Sequence, residues 1–282
     1  MRGPLDAGDR STPNLRDQSA ANVGFPASGV QAVSEFLMFA LVGFVAQLVD
    51  STLGMGFGII SASILLGQGY APALVSASIN AAKIPTSGTA AISHIYHGNV
   101  DPGLARLICI FGAIGGVLGV FLLTGLKGRA LDYMVTGYLL AMGAFIVWRG
   151  LSSVAIPVTS TVSPQAVGFA GGLLEGIGGS WGPVVTPALL ASGTEPRRAI
   201  GTSIMCEFLV SIVVFSAYLV ALVSGVWHGD GWRDIVVPIA GLIVGGLPAA
   251  MFGGLLPRIA PQKPLTVAVG LLALGVGAFR LL

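Results

Sequence analysis

After its first 32 residues the chain is a succession of apolar stretches separated by short polar or glycine- and proline-containing interruptions. The stretches run 33–50, 57–68, 72–97, 103–125, 131–149, 165–177, 183–193, 197–225, 234–256 and 263–282. The interruptions carry helix breakers: Gly98-Asn99-Val100-Asp101-Pro102, Lys127-Gly128-Arg129, Ser163-Pro164, His228-Gly229-Asp230-Gly231 and the run from Pro257 to Pro264. About 20 apolar residues in a helix cross a bilayer, so the longer stretches predict membrane-crossing helices. Those at 57–68, 165–177 and 183–193 are too short to cross alone. They flank Gly-rich breaks, the pattern of discontinuous or re-entrant helices. Residues 1–32 are polar and read as a disordered tail. They lack the early basic region and apolar core of a signal peptide.

The pattern repeats itself. With Gly43-Phe44 laid over Gly168-Phe169, Leu48 meets Leu173, Asp50 meets Glu175 and Gly54 meets Gly179. After one extra residue in the first half, Pro72 meets Pro196, Lys83 meets Glu207, Ser87 meets Ser211 and His94 meets Tyr218. The expected organisation is a tail (1–32), a first transmembrane repeat (33–150), a linker (151–164) and a second repeat (165–282). Homologous halves related by a pseudo-two-fold axis place a site near the midplane, at their broken helices. Inverted halves need an odd number of crossings each. Three full spans with a short broken pair, or five crossings, both satisfy this. The Lys/Arg balance between the two sides is nearly even and assigns no orientation.

Composition narrows the class. Hydrophobic residues make up 54% of the 282, and charged residues 9%. Six of the 26 charges lie in the first 32 residues, which leaves 20 for the other 250. A soluble domain carries roughly 25% charged residues. Together with a mean hydropathy of +0.87, this excludes a soluble or disordered protein, a nucleic-acid binder and a secreted disulfide scaffold. The partner is the lipid bilayer, and a net charge of +2 points to no polyanion. The 42 glycines are about twice the usual share. They suit both close helix packing and deliberate helix breaks. Cys109 and Cys206 sit in apolar runs and read as small buried core residues, with nothing to suggest a redox pair or a metal site.

The chemistry concentrates at the two breaks, Asp50-Ser51-Thr52-Leu53-Gly54-Met55-Gly56-Phe57-Gly58 and Glu175-Gly176-Ile177-Gly178-Gly179-Ser180-Trp181-Gly182-Pro183. Glycines such as Gly54, Gly56, Gly58, Gly178 and Gly179 permit turns that expose backbone N–H groups. A helix starting there points its positive end into the bundle. Two such ends facing each other make an anion site, to which Ser51, Thr52 and Ser180 add hydroxyls and Trp181 a wall. Close packing through small residues is the competing reading. Asp50 and Glu175 are intramembrane acids, which are costly and usually functional. They either couple transport to protons or cap the helix starts that follow. Asn80, Lys83, Ser87 and His94 form one helical stripe, and Ser203, Glu207, Ser211 and Tyr218 its mate. Lys83 and Glu207 either pair with each other, or Lys83 attracts an anionic substrate while Glu207 joins proton coupling. His94 and His97 read as interfacial polar residues. Trp148, Trp227 and Trp232 adjoin loops and fit an interfacial belt. No nucleotide-binding G-x-x-x-x-G-K-[ST] run is present. No nucleophile–base cluster suggests an enzyme, and no cofactor is expected.

At these breaks the chain resembles a known family. The run Asp50 to Gly58, then Pro72 and His97-Gly98-Asn99-Val100-Asp101, resembles the first half of the sulfite exporter TauE/SafE family. Glu175 to Pro187, then Pro196, Gly201-Thr202-Ser203 and Glu207-Phe208, is similar to its second half. The resemblance covers about 33–282. It implies a multi-pass permease of the bacterial inner membrane for small anions such as sulfite, sulfonates or organic acids, often an exporter. Relatives often have an acid where this chain has Lys83, so the substitution changes the site's charge by two units. The expectation is an all-α polytopic membrane protein with two inverted repeats around a central site. It would act as a secondary transporter of a small anionic substrate, with proton coupling through Asp50, Glu175 or Glu207 as one mechanism. A cation or metal transporter using those carboxylates is the alternative. A homo-oligomer is compatible with either.

Overall fold

A computed structural model describes residues 29–126, 128–152, 163–228, 231, 234–253, 255 and 262–281. Its regular elements are helices: α1 (Gly29–Leu53), α2 (Phe57–Gly67), α3 (Pro72–Tyr96), α4 (Pro102–Gly125), α5 (Arg129–Leu151), α6 (Pro164–Gly178), α7 (Gly182–Ala191), α8 (Pro196–Val223), α9 (Val236–Met251) and α10 (Gln262–Phe279). Each predicted apolar stretch became one helix. The polar segments 1–28 and 153–162, with Trp232, lie outside the described residues. Residues 29–32 form the first turn of α1. The protein is all-α, and four of its helices (α1, α4, α5 and α8) are long and apolar enough to cross a membrane.

Local chemistry sets the boundaries. Proline occupies the first turn of α3, α4, α6, α7 and α8, where its missing N–H costs nothing. The Asp101 carboxylate accepts from the N–H groups of Gly103 and Leu104 and caps α4. Ser163 caps α6. At the two breaks, Gly54 (φ 66°) and Gly179 (φ 67°) adopt the left-handed conformation. They are matched positions of the repeat, and a side chain there would be strained.

The halves, α1–α5 and α6–α10, interlock rather than stand side by side. The first helix of each packs on the fourth of the other: α1 on α9, and α6 on α4. Both seams are parallel and glycine-lined. Gly168, Gly172 and Gly176 lie in turn against Ile108, Gly112 and Gly116. Gly241, Gly245 and Gly246 lie against Phe39, Ala40 and Gly43. By contrast, α5 and α10 are antiparallel, with Leu140, Gly143, Val147 and Gly150 facing Gly277, Leu274, Gly270 and Val267. So are α3 and α8 at the centre. Ser76 and Tyr218 meet at the Gly176 carbonyl, Gly88 meets Phe208, and Ala90 and Ala91 cluster with Ile200 and Ile204.

Backbone contact along these seams leaves no room for a side chain. In Gly172→Val the new Cβ falls on the Gly112 carbonyl, and overpacking of this kind costs about 1–3 kcal/mol or more. We expect a clearly lowered Tm of the detergent-purified protein. Gly125→Ala, with open space around it, should leave Tm unchanged.

Candidate functional site

The two breaks fold in the same way. At the end of α1 the Gly54 N–H closes a turn on the Asp50 carbonyl (2.6 Å). The chain reverses at Gly54, and the first N–H of α2, on Phe57, donates to Asp50 Oδ1 at 3.3 Å. At the end of α6 the Gly179 N–H donates to the Glu175 carbonyl (2.8 Å). The N–H of Trp181, at the start of α7, donates to Glu175 Oε2 at 2.8 Å. Each acid therefore caps the short helix after its own break. The positive helix ends do point inward, and the protein's own carboxylates meet them.

The breaks also touch one another. The Thr186 hydroxyl on α7 donates to the Gly54 carbonyl at 2.7 Å and lies 2.9 Å from the Ser203 hydroxyl on α8. Gly58, in the first turn of α2, lies against the Gly179 carbonyl so closely that a Cβ there would overlap it. Gly182 lies likewise against Gly54 and Met55.

Lys83 enters this junction from α3. Its Nζ lies 2.8 and 3.0 Å from the two Glu175 oxygens, 2.7 Å from Glu207 Oε1 and 2.7 Å from the Gly179 carbonyl. An ammonium has three N–H groups, and these acceptors use all of them. Ser211 donates to Glu175 Oε1 (3.2 Å) and Ser87 to Glu207 Oε2 (3.4 Å). The Asp50 carboxyl lies beside that of Glu207, and its Oδ2 receives no N–H or O–H donor. Asp50, Lys83, Glu175 and Glu207 are all buried. The layout follows the offset between the two halves of the sequence. Lys83 of the first half reaches Glu175 of the second, and its mate Glu207 reaches Asp50, the mate of Glu175. One contact is an ion pair; the other sets two acids side by side.

Of the remaining site residues read from the sequence, Ser51 is buried and accepts from Gln47 Nε2 (3.2 Å). Thr52 turns its hydroxyl back onto the Leu48 carbonyl of its own helix (2.7 Å). Ser180 donates to the Gly178 carbonyl (3.4 Å). Gly56 lies against Val49, and Gly178 against the Tyr138 ring. Trp181 is fully buried, its indole donating to the Ser203 carbonyl at 3.0 Å. His94, in the last turn of α3, is fully buried in the protein, with Nδ1 3.4 Å from the Asn99 amide. Trp148 is exposed, and Trp227 stands edge-on to Tyr218. Sequence reasoning missed Thr186, Ser76 and Tyr138. A lone hydroxyl in an apolar helix close to a break is the signal that points to Thr186.

Removing the cation from this cluster leaves buried carboxylates without a partner, a loss of about 3–5 kcal/mol. Lys83→Met should lower Tm strongly in thermal denaturation. Adding Glu175→Gln and Glu207→Gln to it should restore most of the loss. A Lys83→Met protein as stable as the parent would show that the ammonium does not hold the junction together.

The sulfite exporter TauE/SafE family matches residues 39–280. The chain is also similar to a probable membrane transporter protein, YtnM, of Bacillus subtilis (strain 168). The two are 32% identical over 240 residues, which cover 82% of this chain and 77% of that one. No solved structure gives a match.

Proposed function

The chain belongs to the sulfite exporter TauE/SafE family, and on that premise we propose that it is a secondary transporter of a small sulfur-containing or organic anion, such as sulfite or a sulfonate. It is a multi-pass membrane protein, and we place it in the bacterial inner membrane. It works as a permease rather than an enzyme. The observation that carries the reading is the junction of the two breaks. There, two inward-pointing helix starts and one ammonium converge in the middle of the bundle.

In this arrangement the groups that would bind a substrate anion are held by Asp50, Glu175 and Glu207. Three ionised carboxyls and one ammonium sum to −2, and buried charge without a counter-charge is costly. A proton shared between Asp50 and Glu207 reduces the imbalance and satisfies Asp50 Oδ2. Protonating these acids also frees Lys83 and the N–H groups to face an incoming anion. Anion and proton therefore enter the junction together and leave it together. The alternative, a cation carrier, is disfavoured because the ammonium of Lys83 already fills the cage that the carboxylates form.

The packing suggests how the site opens. Antiparallel α3/α8 and α5/α10, with parallel α1/α9 and α4/α6, support the inverted relation of the halves. Glycine seams join α1 to α9 and α6 to α4. Thr86 on α3 meets Gly246 on α9, while Val210 and Val214 on α8 meet Gly112 and Gly116 on α4. On this division α1, α3 and α9 form one body and α4, α6 and α8 the other, with the α3–α8 packing as the surface between them. The Lys83 bonds to Glu175 and Glu207 cross from one body to the other, so alternating access breaks and remakes them.

Purified protein in liposomes with an imposed pH gradient tests this. Sulfite should accumulate on the alkaline side, where its proton is released. Asp50→Asn and Glu207→Gln should uncouple flux from the gradient. Gradient-independent flux in the parent protein, unchanged by these substitutions, would refute the coupling. Absence of any anion flux would refute the transport reading.

A further inference from the structure

Cys109 on α4 and Cys206 on α8 take no part in the ion cluster, yet the fold sets them together. Along the α4–α8 seam, Gly112 lies against Val210 and Gly116 against Val214. One turn back on each helix are Cys109 and Cys206. Glycine in the two adjoining rungs brings the backbones close. The Cys206 thiol donates to the Ala105 carbonyl at 3.4 Å, the same carbonyl that takes the helical N–H of Cys109. The two thiols are neighbours across this seam.

Their exposure differs. Cys206 is fully buried and Cys109 is half-buried. Cys109 lines an open groove of about 500 Å³ at the start of α4. Val100, Ala105, Ile110, Met205 and Leu209 make it apolar, and Arg106 supplies one cation. A small apolar reagent can reach Cys109 from this groove, whereas Cys206 is reached only from Cys109.

We propose that Cys109 and Cys206 are a reactive dithiol that closes to a disulfide when a small apolar disulfide enters this groove. The Cys109 thiolate attacks the reagent, forming a mixed disulfide and expelling one thiolate. The Cys206 thiolate then attacks the Cys109 sulfur and expels the second. The reagent's S–S bond is reduced to two thiols, which take the two protons given up by the cysteines, and one protein S–S bond is formed. The product staples α4 to α8.

Dithiodipyridine, an apolar aromatic disulfide, provides the test on the purified full-length protein. The parent should release two equivalents of thiopyridone per chain, lose the mass of two hydrogens, and regain it with dithiothreitol. Cys206→Ser should release one equivalent and keep one pyridylthio adduct. Cys109→Ser should react far more slowly, because its remaining thiol has no access. Size-exclusion profiles matching the parent exclude misfolding as the cause. Two stable adducts on the parent, no reaction of the folded parent, or undiminished reactivity of Cys109→Ser would each overturn the proposal.

Discussion

An ammonium taken out of water must be given acceptors for all three of its N–H groups, and Lys83 finds them only where the two halves of the chain meet. Much else follows from that demand. The breaks have to approach each other, because the Gly179 carbonyl and the Glu175 carboxylate belong to one break while Lys83 reaches them past the other. Glycine at position 58 permits the approach, since any side chain there would strike the Gly179 carbonyl. The carboxylates are in turn fixed by the helices they cap, so the ion cluster and the helix breaks hold each other in place.

The glycine-lined seams have the complementary role. Lipid offers apolar surface no worse than another helix does, so membrane helices associate through close packing rather than through hydrophobic burial. Here the closest packing joins helices of opposite halves, α1 to α9 and α4 to α6. Each of these seams therefore ties one half of the chain to the other, while the cluster of charges lies where α3, α6 and α8 meet.

The ten helices of the described residues and both breaks were legible in the sequence because bilayer length, proline and glycine act locally. Leu53 to Phe57 and Gly178 to Gly182 were recognisable as interruptions from their glycines alone. The special standing of Asp50, Lys83, Glu175 and Glu207 was legible too, since charge is rare in such a chain and the repeat paired them. Of their contacts, the Lys83–Glu207 pair was one of the readings the sequence offered, and it formed; the others were not legible. Nothing in the sequence said that Lys83 would also take Glu175, or that Asp50 would face Glu207. His94 shows the same limit: its position near a helix end said nothing of its burial against the Asn99 amide.

What the sequence determined by itself was an all-helical membrane bundle with two glycine breaks carrying acids. These features depend on residues near one another along the chain. Tertiary structure alone decided which helix lies against which, and that one lysine gathers two carboxylates. It also brought Cys109 to Cys206. Such outcomes depend on groups far apart in the chain, which are brought together only when the helices pack and polar atoms, shut away from water, must find one another.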